Sequence, residues 1–376
     1  MLSLDDLLAP ITSSVFHADY DDRKPLHIPA QPGAPKHALL DWDRFNALLD
    51  QTSIWTAQTL KVLYNGQRVP PTQYWHDAPT GSGTARRPSP AKVKVLLAQG
   101  ASLVLDEVQD LIPSIRALAP ALGRAFAGQV SANLYCSFGG VQAFGTHYDL
   151  HHVFAVQCEG EKVWTLYSNR ADAPTTFPVD SEETRARLAA NRGPVLMEVR
   201  MRPGDVLYLP RGWYHDALAT EGASLHVTYS ITPADGRVVF ETLQKLAAGD
   251  ATFRHFLRPA GTGDGVLKLQ LDDMARRLAA IMADAAFVDE VAMAQERLIP
   301  REPGYALPHR PALTVYARGS GPAPAVTGPA ALALEWAMEQ PRLALEDMIA
   351  QFDFVSETDL RAVVEAAVRC GALVRL

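Results

Sequence analysis

Thr146-His147-Tyr148-Asp149 and, further along the chain, Gly204-Asp205-Val206-Leu207-Tyr208-Leu209-Pro210-Arg211-Gly212-Trp213-Tyr214-His215 are the stretches whose reading decides the fold. Side chains alternate along an extended strand, so His147 and Asp149 point to one face. A histidine from another strand, His215, completes two imidazoles and one carboxylate, the donor set that leaves open positions on a ferrous ion. The second stretch supplies a turn, a strand and a rigid Pro-Arg-Gly corner that delivers His215 at a strand end. A lone His-x-Asp among eleven histidines is more often surface or hydrogen-bonded chemistry than a ligand. The combination carries the reading.

Working outward, residues 130 to 232 are a series of short β-rich runs separated by Gly, Pro or Asn: Val130 to Tyr135, Val153 to Val156, Lys162 to Tyr167, Val206 to Leu209 and Leu225 to Tyr229. Short strands with regular turns indicate a barrel or sandwich. Before them, residues 1 to 129 mix short helices such as Trp42 to Asp50 with strand-like pieces at Leu60 to Tyr64 and Ser102 to Leu105. Asp77 to Pro90, with Pro-Thr-Gly-Ser-Gly-Thr and then Arg86 and Arg87, has the composition of a mobile loop able to cover a substrate.

Downstream, Val238 to Leu298 has helical periodicity, with Leu267, Leu271, Met274, Leu278 and Ile281 on one stripe. A Pro- and Gly-rich stretch, Gly319 to Pro329, reads as linker. The tail shows three helical patterns, 330 to 339, 342 to 351 and 356 to 370, then an apolar Ala372 to Leu376, the outline of a small winged-helix-like domain. Residues 329 to 376 hold four arginines and eight acidic side chains, a surface that repels phosphate. The expected fold is therefore mixed α+β, divided into residues 1–235 (core 130–232), a helical region 236–300, a linker 301–329 and an acidic winged-helix-like domain 330–376.

Across 376 residues, 48% hydrophobic and 20% charged side chains mark an ordinary folded chain, and a formal charge of −7 argues against bulk nucleic-acid binding. Cys136, Cys158 and Cys370 are too few and too scattered for a disulfide framework or zinc knuckle, and fit buried thiols in a reducing compartment. The N-terminus lacks the basic and apolar regions of a signal peptide, and no segment approaches the roughly 20 apolar residues of a membrane span. The expectation is a cytoplasmic protein without membrane contact.

On these motifs the sequence resembles the cupin-type JmjC oxygenases and, within them, the ribosomal oxygenase group, whose domain order the helical region and acidic tail follow. The resemblance implies a double-stranded β-helix (cupin/JmjC jelly-roll) core, with His147, Asp149 and His215 as ligands of Fe(II) and as the catalytic centre. It also implies a 2-oxoglutarate site: Lys162 pairs with the distal carboxylate of the co-substrate, and Asn133 and Thr228 match the group's polar strand positions. Tyr135 shares a face with Asn133 by strand alternation. His151 continues the period of His147 and Asp149 toward the metal mouth, His152 faces away, and His226 is read as structural.

The activity this implies is hydroxylation by dioxygen and 2-oxoglutarate of a side chain on a polypeptide such as a ribosomal protein, by a homodimer formed through residues 236–300. An oxygenase acting on a peptide natural product or small metabolite is the competing reading. A non-catalytic cupin-like binding module is the third, and the intact ligand set with Lys162 argues against it.

Overall fold

Val153 to Val156 and Val206 to Leu209 are apolar at every position, the pattern of strands buried on both faces. That is how they are used. The computed structural model describes residues 3–33, 36, 39–140, 145–179, 181–219, 222–299 and 313–376, in two units, Met1–Thr232 and Pro233–Leu376.

The strands of the first unit are, in chain order, β1 (Leu26–Ile28), β2 (Leu60–Tyr64), β3 (Gln67–Arg68), β4 (Trp75–Thr80), β5 (Gly83–Pro88), β6 (Ser102–Leu105), β7 (Gly128–Phe138), β8 (His152–Glu159), β9 (Lys162–Arg170), β10 (Val195–Met201), β11 (Val206–Leu209), β12 (Trp213–Ala219) and β13 (Ala223–Pro233). They form a large sheet in the order β1-β11-β8-β13-β7-β6-β2-β3 and a smaller one in the order β10-β9-β12. Every pairing in the β8 to β13 region is antiparallel.

Alternation sorts the side chains into two cores. Val153 and Ala155 of β8 and Leu207 and Leu209 of β11 pack against Trp164, Leu166, Val199 and Met201 of the small sheet, filling the barrel interior. Their neighbours Phe154, Val156, Val206 and Tyr208 face the other way, onto Leu7, Leu8, Phe16, Ile115 and Leu122 of the N-terminal segments. The double-stranded β-helix is therefore backed by helices. Residues 1 to 129, read as lying in the same domain but outside its core 130–232, supply β1, β2, β3 and β6 to the large sheet.

Asp77 to Pro90, expected to be a mobile loop, is instead the β4–β5 hairpin. Its ends are fixed by the pair Trp75↔Pro88, both buried, and its middle by Asp77↔Arg86, whose side chains lie 3.5 Å apart. Composition misled because a two-residue turn, Gly81-Ser82, needs the polar and glycine residues that also mark loops.

One feature anchors this unit around the Gly-Asp of the second diagnostic stretch. Asp205 accepts hydrogen bonds from the backbone N–H of Ala30 (2.7 Å) and Arg202 (3.1 Å) and pairs with His27 Nε2 (3.1 Å), joining β1 to the turn before β11. Burial opposes its charge, but these three donors hold the carboxyl below its usual range.

The second unit holds helices Arg237–Ala247, Val266–Ala283 and Ala285–Glu296, then β14 (Val315–Arg318), β15 (Arg342–Ala344) and β16 (Leu373–Arg375) in the order β15-β14-β16. Helices Ala330–Glu339, Leu345–Gln351 and Glu357–Arg369 cover this sheet with a core including Tyr316, Leu334, Met348, Leu360 and Val364. β14 falls within the stretch read as linker, of which residues 301–312 lie outside the described residues. No described helix is long and apolar enough to cross a membrane. The three cysteines are free; Cys136 and Cys158 are buried as expected, whereas Cys370 is exposed.

Candidate metal centre

His147 does not sit in a continuous strand. It forms an isolated antiparallel bridge with His215, closed by His147 N–H to His215 O at 3.0 Å and the reverse bond at 2.9 Å. Asp149 follows in an irregular segment whose carbonyl accepts from Gly212 N–H at 2.8 Å. Gly212 has φ +83°, and a Cβ there would lie 2.5 Å from Ala171 O, so only glycine lets the Pro-Arg-Gly corner approach this closely. One ligand atom each from His147, Asp149 and His215 lies within 4.8 Å of the others. The convergence expected from strand alternation thus arises from a bridge and a pinned loop.

The ring nitrogens face a defined way. His147 Nδ1 lies 2.8 Å from Gly145 O and His215 Nδ1 2.9 Å from Trp213 O. A carbonyl only accepts, so both Nδ1 atoms carry the proton and both Nε2 atoms present lone pairs. His215 Nε2 is 3.6 Å from Asp149 Oδ2. Burial and His147 push the His215 imidazole down to about 4. Burial alone would raise the Asp149 carboxyl, but His215, His147 and His151 hold it below the usual range. Two imidazoles presenting Nε2 and one carboxylate form a donor set that fits a divalent first-row cation. His151 instead turns its Nδ1 to His152 O at 3.1 Å and is not in the converging group. His152 faces away, with Nδ1 3.2 Å from the Tyr208 hydroxyl.

Deeper in the interior, Lys162 is 3% exposed. Its Nζ donates to Ser137 Oγ at 3.4 Å, and no carboxylate pairs with it among the described residues. Burial pushes its ammonium down to about 8, partly opposed by Cys136. Trp164, on the same face of β9, stacks on His215 with ring centres 5.7 Å apart, and lies edge-on to His226 at 5.6 Å. His226 stacks in parallel on Tyr135 at 4.9 Å. Thr228 points into the same space from β13, opposite Ala155. Asn133 is partly committed elsewhere, because its Oδ1 accepts from Glu107 N–H at 3.2 Å. Among the described residues the buried atoms His226 Nδ1 and Trp164 Nε1 have no hydrogen-bond partner. An unpaired buried cation beside two orphaned polar atoms fits a small dicarboxylate that would satisfy them.

Residues 110–237 match the family described as JmjC domain. Over that span the chain is similar to the JmjC domain family. Over 228 residues it is 32% identical to chicken (Gallus gallus) ribosomal oxygenase 1, covering 60% of this chain and 35% of that protein. Over 229 residues it is 26% identical to the bifunctional lysine-specific demethylase and histidyl-hydroxylase NO66 of Drosophila persimilis, covering 61% of this chain and 31% of the other. The chain thus spans about a third of the length of these relatives. In fold it is similar to YcfD, a ribosomal oxygenase of Escherichia coli solved with cobalt and 2-oxoglutarate, with TM-score 0.51, 14% identity and 97% and 98% of the two chains covered.

Within the matched span the sequence reading missed Trp164, Ser137 and the part His226 plays in lining the interior. Trp164 was accessible by alternation from Lys162, as Ser137 was from Tyr135 and Asn133. The contact of Trp164 with His215 was not, because it depends on how the two sheets face each other.

Proposed function

We propose that the protein is an Fe(II)- and 2-oxoglutarate-dependent oxygenase that hydroxylates a side chain of a polypeptide such as a ribosomal protein. The observation carrying this is one barrel interior holding both a two-imidazole, one-carboxylate cluster and a buried lysine without an acidic partner among the described residues.

His147, Asp149 and His215 would hold the metal, and the Nδ1–H bonds to Gly145 O and Trp213 O fix both imidazoles with Nε2 toward it. Iron supplies the activation of dioxygen when bound with the co-substrate. Lys162 pairs with the distal carboxylate of 2-oxoglutarate in a site dry enough to strengthen the ion pair. Thr228, Tyr135 and the Asn133 amide surround that carboxylate. Trp164 and the apolar residues Val153, Leu166, Val199 and Leu207 exclude water from the interior in which the chemistry would take place.

The polypeptide substrate is supported by the likeness to ribosomal oxygenase 1 and NO66, proteins named for acting on ribosomal or histidyl and lysyl targets. The same reading carries a homodimer through residues 236–300, whose helices expose Phe240, Leu269 and Val288; a monomer mass by light scattering at micromolar concentration contradicts it. The test of the activity is succinate formation from 2-oxoglutarate with Fe(II). Wild type should turn over and His147→Ala should not; equal turnover in the two proteins removes the enzyme reading. Comparing the host proteome with and without the gene for a one-oxygen mass increase then identifies the substrate.

A further inference from the structure

The two proposed histidine ligands are linked by a single bridge rather than a ladder, and what steadies that bridge lies behind it. His147 and His215 are directly opposite, so the flanking pairs Thr146/Asp216 and Tyr148/Tyr214 project from the opposite face. There Thr146 Oγ1 donates to Asp216 Oδ2 at 2.9 Å, and Tyr167 Oη donates to the same oxygen at 2.6 Å. Arg192 Nη1 donates to Thr146 Oγ1 at 2.8 Å, lies 3.8 Å from Asp216 Oδ2, and places its guanidinium 4.3 Å over the Tyr167 ring. The Tyr148 and Tyr214 rings meet edge to face at 5.3 Å. Arg192 is itself held in place, because Asn169 N–H donates to Arg192 O at 3.1 Å and Asn169 Nδ2 to Asn191 O at 2.8 Å.

We propose that Asp216 is a positioning residue: through Thr146, Tyr167 and Arg192 it clasps the segment bearing His147 to the strand bearing His215 and so sets the strength and symmetry of metal binding. The physical need is plain. Directly between the two histidines the backbone makes two hydrogen bonds rather than a ladder, and holding the segment in place costs conformational entropy that further contacts must offset. The Asp216 side chain is 15% exposed, and a charge-assisted acceptor shielded in this way resists that loss better than a neutral pair in water. Hydrogen bonds that orient ligands from behind affect metal affinity without touching the metal.

This inference rests on the metal reading above, and the test separates the two. Cobalt(II) is titrated into the full chain and followed by its visible d–d absorption, with thermal melting recorded alongside. If wild type shows no cobalt band, or His147→Ala shows the same band, the metal reading fails, and the clasp with it. With the band present in wild type and lost in His147→Ala, Asp216→Ala and Thr146→Val are expected to weaken cobalt binding about 10- to 100-fold and to change the band shape and intensity. Thr146→Ser, which keeps the hydroxyl, should restore both. Thr146→Val removes one hydroxyl and keeps the shape, so it carries the test even where Asp216→Ala does not fold. Wild-type affinity and spectrum in Thr146→Val, or no rescue by Thr146→Ser, overturns the clasp.

Discussion

Replacing Lys162 with methionine should make the ligand-free protein more stable while abolishing its grip on 2-oxoglutarate. Lys162 is buried and, among the described residues, has only the Ser137 hydroxyl as partner, and burial pushes its ammonium from 10.5 to about 8. At 1.36 kcal/mol per pH unit, keeping this side chain charged costs the fold about 3 kcal/mol. The pH window follows from linkage. Below about pH 8 the lysine is protonated in both folded and unfolded chains and the full cost is present. It fades as pH rises toward 10.5, because there the unfolded chain binds more protons than the folded one. Methionine has similar length and no charge. Subtracting about 1 kcal/mol for the lost Ser137 bond leaves a gain of about 2 kcal/mol at pH 7, or roughly 4–8 °C in melting temperature for a unit of this size. The assay is thermal unfolding of both proteins at pH 7 and pH 9.5, with and without 2-oxoglutarate and Mn(II). Wild type should be stabilised by the co-substrate and Lys162→Met should not, and their difference should shrink at the higher pH. A variant that melts lower than wild type at pH 7 refutes the burial argument; one that keeps the co-substrate shift refutes the role of Lys162.

Because the protonated lysine is the binding form, the apparent affinity for 2-oxoglutarate should decline above about pH 8, toward tenfold per unit, and equilibrium binding between pH 7 and 10 checks this; a flat profile assigns the carboxylate to another group. Asp205→Asn keeps the size but loses the charge shared by His27, Ala30 and Arg202, so urea unfolding should show a loss of about 2–3 kcal/mol. Since the Asp205 carboxyl is held below its usual range, its contribution is present above pH 3.8 and should vanish as pH falls further, so the two proteins should converge in acid. Gly160→Ala should lower stability by about 3 kcal/mol or more, because φ is +62° and the added Cβ would fall 1.9 Å from Ala223 O; wild-type melting in that variant would show that the β8–β9 turn yields more easily than its geometry implies.

The centre of the molecule was legible because strand periodicity and ligand chemistry point the same way. The runs at 130 to 135, 153 to 156, 162 to 167, 206 to 209 and 225 to 229 each lie within a strand, and His147, Asp149 and His215 come within reach of one cation. What escaped depended on information absent from local pattern. The β4–β5 hairpin was hidden because turn residues and loop residues share a composition. β2 and β6 were visible as strands, but that they extend the sheet carrying Asn133 and Tyr135 is a matter of long-range pairing. The Thr146–Asp216 pair could not be seen until the bridge between His147 and His215 fixed which residues stand opposite.

The Asp205 junction bears on how this protein can be divided. The matched JmjC span, residues 110–237, excludes His27 and Ala30, which satisfy that carboxylate, and excludes β1, β2, β3 and β6, half the strands of the large sheet. A fragment cut to the matched span would expose the β7 and β11 edges to intermolecular pairing and bare the apolar face that Leu7, Leu8 and Phe16 now cover. The stretch that identifies the domain is therefore smaller than the piece of chain able to fold as one, and the N-terminal hundred residues act as its built-in edge protection against aggregation.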